Sequence, residues 1–138
     1  MRDCSRVEAR DIMRNMIYNV VYAFENGSTL VKATDVEKVV DLGKQCSVYL
    51  CGGALVERDG EMYQVVYVNS PIWAAQRAVV EMFRNGFAEV RVEDNAEFHE
   101  LCDLLCIPER GGAYVKDSQI FYVNNGSTLC ADYKAYIG

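Results

Sequence analysis

Residues His99, Cys102 and Cys106 place a base and two thiols at i, i+3 and i+7 of one predicted helix. Such a set suggests metal ligation, with Cys46 and Cys51 as distant additions, or attack by a thiolate with His99 as base. Helical geometry argues against the metal. Seven residues span about 10.5 Å along the axis at 1.5 Å each, whereas zinc holds its ligands at about 2.0–2.3 Å. Cys102 also shares an apolar face with Phe98, Leu101 and Leu105, which makes it a core thiol. A nucleophile would need a third group to orient His99, and the sequence offers no sign of one. No metal is therefore expected. Tyr63, Tyr67, Tyr114 and Tyr122 carry phenols of the type that acts as general acid, but sequence cannot assign that task. Glu89/Glu93 and Glu97/Glu100 read as solvated carboxylate faces.

Trp73 is the only tryptophan and falls in the first turn of a predicted helix. A helical wheel sets it near Arg77, Val80 and Arg84, at the border of the apolar stripe. Two readings stand side by side. One is a boundary aromatic packed under a loop. The other is a partner-binding patch of Trp73, Arg77 and Arg84, the residue types enriched at protein interfaces.

The element carrying Trp73 lies in the middle of a predicted βαβ unit over Glu61–Asp94. Its first strand, Met62–Val68, is nearly continuous in β-branched and aromatic residues and reads as a central strand covered on both faces. The helix follows over Pro71–Asn85, with Ser70 as N-cap, Pro71 as first helical residue and Asn85-Gly86 as terminator. Its second strand is Phe87–Glu93.

Upstream, Ser5 and Glu8 form a capping pair for a helix with an Ile12, Met13, Met16, Ile17, Val20, Val21, Phe24 stripe, ended by Asn26-Gly27. Thr34 and Glu37 cap a second helix to about Gln45. Ser47–Cys51 and Ala54–Glu57 are short strands parted by a bulge at Gly52-Gly53. Arg58-Asp59-Gly60 is a hairpin turn. Downstream, Asp94 or Asn95 with Glu97 caps a helix to about Ile107. Ala113–Lys116 and Gln119–Asn124 form a hairpin about Asp117-Ser118. Asn125-Gly126 suggests a return strand over Ser127–Tyr133. Asn-Gly-Ser-Thr-Leu occurs at both 26–30 and 125–129. One copy follows a helix and the other a strand, so it reads as recurring turn chemistry and no structural repeat.

With 138 residues, 51% of them hydrophobic, the chain suits one domain with a real core. A net charge of −6 with no basic run disfavours nucleic acid, whose affinity comes from Lys and Arg on phosphates. No apolar run approaches the roughly 20 residues that span a bilayer, and the start of the chain reads as no signal segment. A cytoplasmic protein with reduced cysteines is expected.

In element order over Asp35–Val123, the chain resembles the GCN5-related N-acetyltransferase fold, in particular the short, divergent members carried by tailed bacteriophages. The more specific pieces are Cys46-Ser-Val-Tyr-Leu-Cys-Gly-Gly-Ala-Leu-Val56, Val66-Tyr-Val-Asn-Ser-Pro-Ile-Trp73 and Asn85-Gly-Phe-Ala-Glu-Val-Arg-Val92. The resemblance implies one α/β domain over 1–138, with a mixed, mostly antiparallel central sheet and helices on both faces. In active members a glycine-bearing loop wraps the acetyl-CoA pyrophosphate with backbone amides. Here Ser70–Val80 stands in its place. Gln76 matches the first motif position, Val79 replaces the first glycine, and Pro71 removes a donor.

The leading expectation is thus an acetyltransferase-like, non-catalytic protein that binds a protein partner, in a virion or on a host or defence factor. The alternative is a working acyl-CoA-dependent N-acyltransferase in which Ile72, Trp73, Ala74 and Gln76 meet acetyl-CoA. An acidic mimic that blocks a nucleic-acid-binding protein is a third reading.

Overall fold

A computed structural model describes the backbone of residues 2–137 and the side chains of residues 13–136. The Ser5–Glu8 capping pair and Cys4 lie outside the described side chains. The class is α/β. The chain gathers into two compact units, Met1–Pro71 and Ile72–Gly138.

In the first unit, α1 (Arg2–Asn26) leads into β1 (Ser28–Lys32), a 3-10 turn (Ala33–Asp35), α2 (Val36–Gln45), β2 (Leu50–Arg58) and β3 (Glu61–Val68). The apolar period of α1 buries Ile17, Val20, Val21 and Phe24, while Met13 at the near end of the stripe is exposed. Gly27, at φ +83°, ends the helix and donates its N–H to the Ala23 carbonyl at 2.8 Å. β1 turns Thr29 and Val31 inward. Its side-chain bond from Thr29 Oγ1 to Asn19 Oδ1, at 2.9 Å, ties the strand to α1. All three strands are antiparallel in the order β1-β3-β2.

The second unit runs α3 (Ala74–Asn85), β4 (Phe87–Arg91), α4 (Val92–Leu104), β5 (Arg110–Lys116), β6 (Gln119–Asn125) and α5 (Thr128–Ile137). Its sheet is also antiparallel, in the order β4-β6-β5. Ala75, Val79, Met82 and Phe83 of α3 meet a core that includes Phe98, Leu101 and Cys102 of α4 and Cys130 and Tyr133 of α5. Phe83 and Tyr133 pack edge to face, with ring centroids 5.4 Å apart.

The two units repeat one plan. Each orders its elements α-β-α-β-β and sets the third strand between the first two. From Gly27 to Gly86 the correspondence is a shift of 59 residues. At that shift Val20, Phe24, Val31, Val39, Leu42, Cys46 and Val48 fall on Val79, Phe83, Val90, Phe98, Leu101, Leu105 and Ile107, all of them buried. Loop hydrogen bonds follow suit: Val48 N–H to Gly43 O at 2.9 Å and Ile107 N–H to Cys102 O at 2.8 Å. Ser47 and Cys106 both take positive φ. From Leu55 of β2 onward the shift drops to 58, so Asp59-Gly60 answers to Asp117-Ser118, with positive φ at all four residues. The missing residue is the bulge: β2 skips register between Gly52 and Leu55, whereas β5 pairs without a break.

Several expectations need correction. The twin Asn-Gly-Ser-Thr-Leu is indeed no repeat unit, yet a structural repeat exists in another register, marked by Asn26-Gly27 and Asn85-Gly86. The strands form two antiparallel sheets instead of one mixed central sheet. Consequently β3 and β4 do not pair, and Glu61–Asp94 is no parallel βαβ unit. β3 is central in its sheet, but of its residues only Val66 is buried. β1 escaped the sequence reading altogether. Val92 opens α4 instead of extending β4, and neither Asp94 nor Asn95 is its N-cap. Thr34 lies within the 3-10 turn and caps nothing. Residues 128–137 are a helix, because Leu129, Cys130 and Tyr133 bear inward at helical spacing.

Candidate functional site

The start of α3 is where the sequence placed its ligand or partner residues. Trp73 is the N-cap in extended conformation, and Ser70 and Pro71 precede the helix instead of opening it. The Ser70 hydroxyl oxygen accepts the Tyr49 N–H at 3.0 Å, which draws it away from any capping role. Gln76 supplies the cap: its Oε1 accepts the Trp73 N–H at 3.0 Å. The indole has a donor and no acceptor, so the reciprocal half of a capping box is missing.

Gln76 is buried with its carbonyl oxygen committed to this bond. Arg77 lies one turn on, and its Nη2 donates to the Ile72 carbonyl at 3.2 Å. Of the Ile72–Ala74 amides proposed for a pyrophosphate, that of Trp73 is thus already used. Ile72 is half-buried, whereas Trp73 and Ala74 are exposed, Trp73 at 58%. Trp73 and Arg77 are neighbours on the helix, but Arg84 sits seven residues beyond Arg77, about 10.5 Å along the axis. The three therefore form a stripe more than a cluster.

Beside Arg77 an open cleft of about 280 Å³ lies between α3, β4 and the start of α4, lined by Arg77, Glu81, Glu89, Arg91 and Asp94 among others. Three carboxylates against two guanidiniums make a poor match for a phosphate. Glu89 also takes hydrogen bonds from the Tyr114 hydroxyl and from Lys116, the latter at 3.4 Å. These partners hold the Glu89 carboxyl below its usual range. Desolvation and the same bond push the Tyr114 phenol up to about 12.

The signs give a two-sided prediction. A lowered carboxyl contributes stability at neutral pH that fades as pH falls through its folded value. A raised phenol contributes stability that fades as pH climbs from about 10 towards 12. Glu89→Gln should remove this acid limb from a melting-temperature profile and flatten the alkaline one only in part, because desolvation still raises the Tyr114 phenol; a profile unchanged by the substitution would refute the coupling.

The cysteine and histidine set separates. His99 Nδ1 pairs with Glu109 Oε1. Glu109 has a side chain only 12% exposed, and its Oε2 is buried without a hydrogen bond. Burial, followed by the Glu109 charge, pushes the Cys102 thiol up to about 12. Cys46 and Cys130 are raised by burial to about 12 and about 11. These are protonated core thiols, unsuited to attack at neutral pH. Cys106 is exposed in the turn after α4. Among the described residues no three His, Cys, Asp or Glu side chains gather to hold a metal. No described helix is long and apolar enough to cross a membrane.

The sequence reading missed the Glu89–Tyr114–Lys116 group. The alternation of β4 and β5 could have hinted at a shared face, but the pairing runs through β6 and has no local signal.

Fold and site define a class: an α/β protein of two units that share an αβαββ plan, the second closed by a further helix, with buried thiols, a histidine tied to a carboxylate, and an exposed tryptophan at a helix start. Comparison with protein-family models, curated proteins and solved structures finds no match.

Proposed function

We propose that this chain is a non-catalytic module that works by binding another protein, with Trp73 and Arg77 in the contact surface. The observation that carries the reading is the exposure of the sole tryptophan, 58% at the start of a helix whose own Phe83 is buried, as are Tyr18, Phe98 and Tyr133 on other helices, while Tyr136 is 45% exposed. A rigid indole beside a guanidinium is the combination that dominates interface energetics. The used amide of Trp73 and the acidic cleft wall weigh against a pyrophosphate. In the setting that the resemblance implies, the module would act in a host cytoplasm or a virion, on a structural partner or a host or defence factor.

The test uses the tryptophan itself. Its emission should be solvent-like and quenchable by acrylamide in the free protein, and shift to the blue when a partner covers it. Trp73→Ala should leave the melting temperature within about 1 °C, as exposed substitutions do. It should weaken partner retention by tenfold or more, on the order of a 2 kcal/mol hot spot. Unchanged retention would overturn the reading. Saturable thermal stabilisation by micromolar acetyl-CoA would replace it with the acyltransferase.

A further inference from the structure

The duplicated plan allows one strand to be compared with its own counterpart. β2 and β5 occupy the same outer place in their sheets, each paired on one side only, with β3 and β6. An open strand edge is a template for a further strand, and folded proteins blunt it with bulges, proline or charge. β2 carries such a device, the bulge between Gly52 and Leu55. β5 pairs regularly over all seven of its residues, Arg110↔Asn125 to Lys116↔Gln119, with no proline and no charge from Gly111 to Val115. A side chain added at Gly112 would meet nothing within 4 Å. Next to this edge, Val115 is 70% exposed and its cross-strand neighbour Ile120 is 46% exposed.

We propose that the free edge of β5 is a strand-addition site for a partner protein whose extended segment carries acidic residues six positions apart with apolar residues between them. Alternation puts Arg110, Gly112, Tyr114 and Lys116 on one face of the strand and Gly111, Ala113 and Val115 on the other. The two charges of β5 are both basic and share a face, so they call for carboxylates directly opposite. Lys116 already meets Glu89 at 3.4 Å, but an ammonium has three donors and can take a second carboxylate. Val115 and Ala113 call for apolar side chains on the other face. A second copy of the chain fits less well: an antiparallel β5 pair centred on Ala113 sets Arg110 against Lys116 of the copy, like charge on like. The backbone ladder supplies affinity and the alternating side chains supply selection.

The probe is a labelled peptide, acetyl-Glu-Val-Thr-Val-Tyr-Thr-Glu-amide, with a scrambled control, followed by fluorescence polarisation. The full chain should bind the probe saturably at micromolar concentration and ignore the scramble. Arg110→Glu with Lys116→Glu should weaken binding about tenfold or more, and a probe with lysines in place of both glutamates should restore it. Inserting one alanine after Gly112, which copies the bulge of β2, should abolish binding with circular dichroism unchanged. If the insertion unfolds the protein, the charge-exchange pair still decides.

Absent or scramble-indifferent binding, or indifference to charge reversal, would overturn the proposal. So would concentration-dependent self-association through this edge without peptide binding, which would assign the edge to a second copy. Trp73→Ala should bind the probe like the native chain, so this inference and the tryptophan surface can fail separately.

Discussion

Phe83→Ala is expected to remove most of the stability of the second unit. The ring is buried at 1% exposure and stands edge-on to Tyr133, itself fully buried on α5. Truncating a buried phenylalanine costs about 3–5 kcal/mol, from lost transfer energy plus the cavity left behind. The unit Ile72–Gly138 is small, so its core has little in reserve, and even ordinary domains hold only about 5–15 kcal/mol. With a urea m-value of about 2 kcal/mol/M, the midpoint should fall by roughly 2 M. The loss should be felt at α5 first, because Tyr133 is a main anchor of that helix and would face the void. Hydrogen exchange across Thr128–Ile137 measures this. Leu104→Ala, at a surface-facing position of α4, is the control and should change the midpoint little. A Phe83→Ala midpoint equal to that of the control would mean that the aromatic pair does not hold the unit together.

The reach of the sequence can be followed at particular residues. Asn26-Gly27, Asn85-Gly86, Asp59-Gly60 and the Gly52-Gly53 bulge announced themselves because backbone conformation at those points is decided within a few residues, whereas Asn125-Gly126 read as a hairpin and leads into a helix. The inward stripes of α3 and α4, Cys102 included, were readable from their 3.6-residue period. What lay beyond reach depended on distant partners. Ser28–Lys32 is too short and too polar to declare itself a strand. It becomes one by pairing with Tyr63–Tyr67. The N-cap of α3 moved from Ser70 to Trp73 because Ser70 is drawn to Tyr49, 21 positions away. The repeat was hidden for a related reason. Its corresponding positions keep burial and backbone conformation more than residue type: Val39 answers to Phe98 and Val66 to Asn124. Identity is a poor tracer of a shared plan when packing asks only for an inward side chain of suitable size. At the start of α3 the sequence located the exposed tryptophan's helix correctly, but could not tell that Gln76 faces inward to cap it.

The repeat also sets two glycines against each other, Gly52 and Gly111, at equivalent places on β2 and β5. A Cβ on Gly111 would collide with Asn124 Oδ1 and lie 2.7 Å from the Val123 carbonyl oxygen. Neither can retreat cheaply. Val123 is backbone of the central strand, and Asn124 is fully buried with its Nδ2 bonded to Asn95 Oδ1 at 3.3 Å. A Cβ on Gly52 would instead meet the far end of Gln64, at 2.6 Å from Nε2. That side chain can swing aside at the expense of one bond, its 3.0 Å donation to the Gly53 carbonyl. Such a bond contributes about 0.5–1.5 kcal/mol, so Gly52→Ala should cost about 1 kcal/mol. Gly111→Ala forces strand or core to move and should cost about 2–3 kcal/mol, the range of overpacking in a filled interior. Denaturation of the two variants side by side measures the difference. Equal losses would mean that Asn124 yields as easily as Gln64, and that the floor under β5 is softer than its contacts imply.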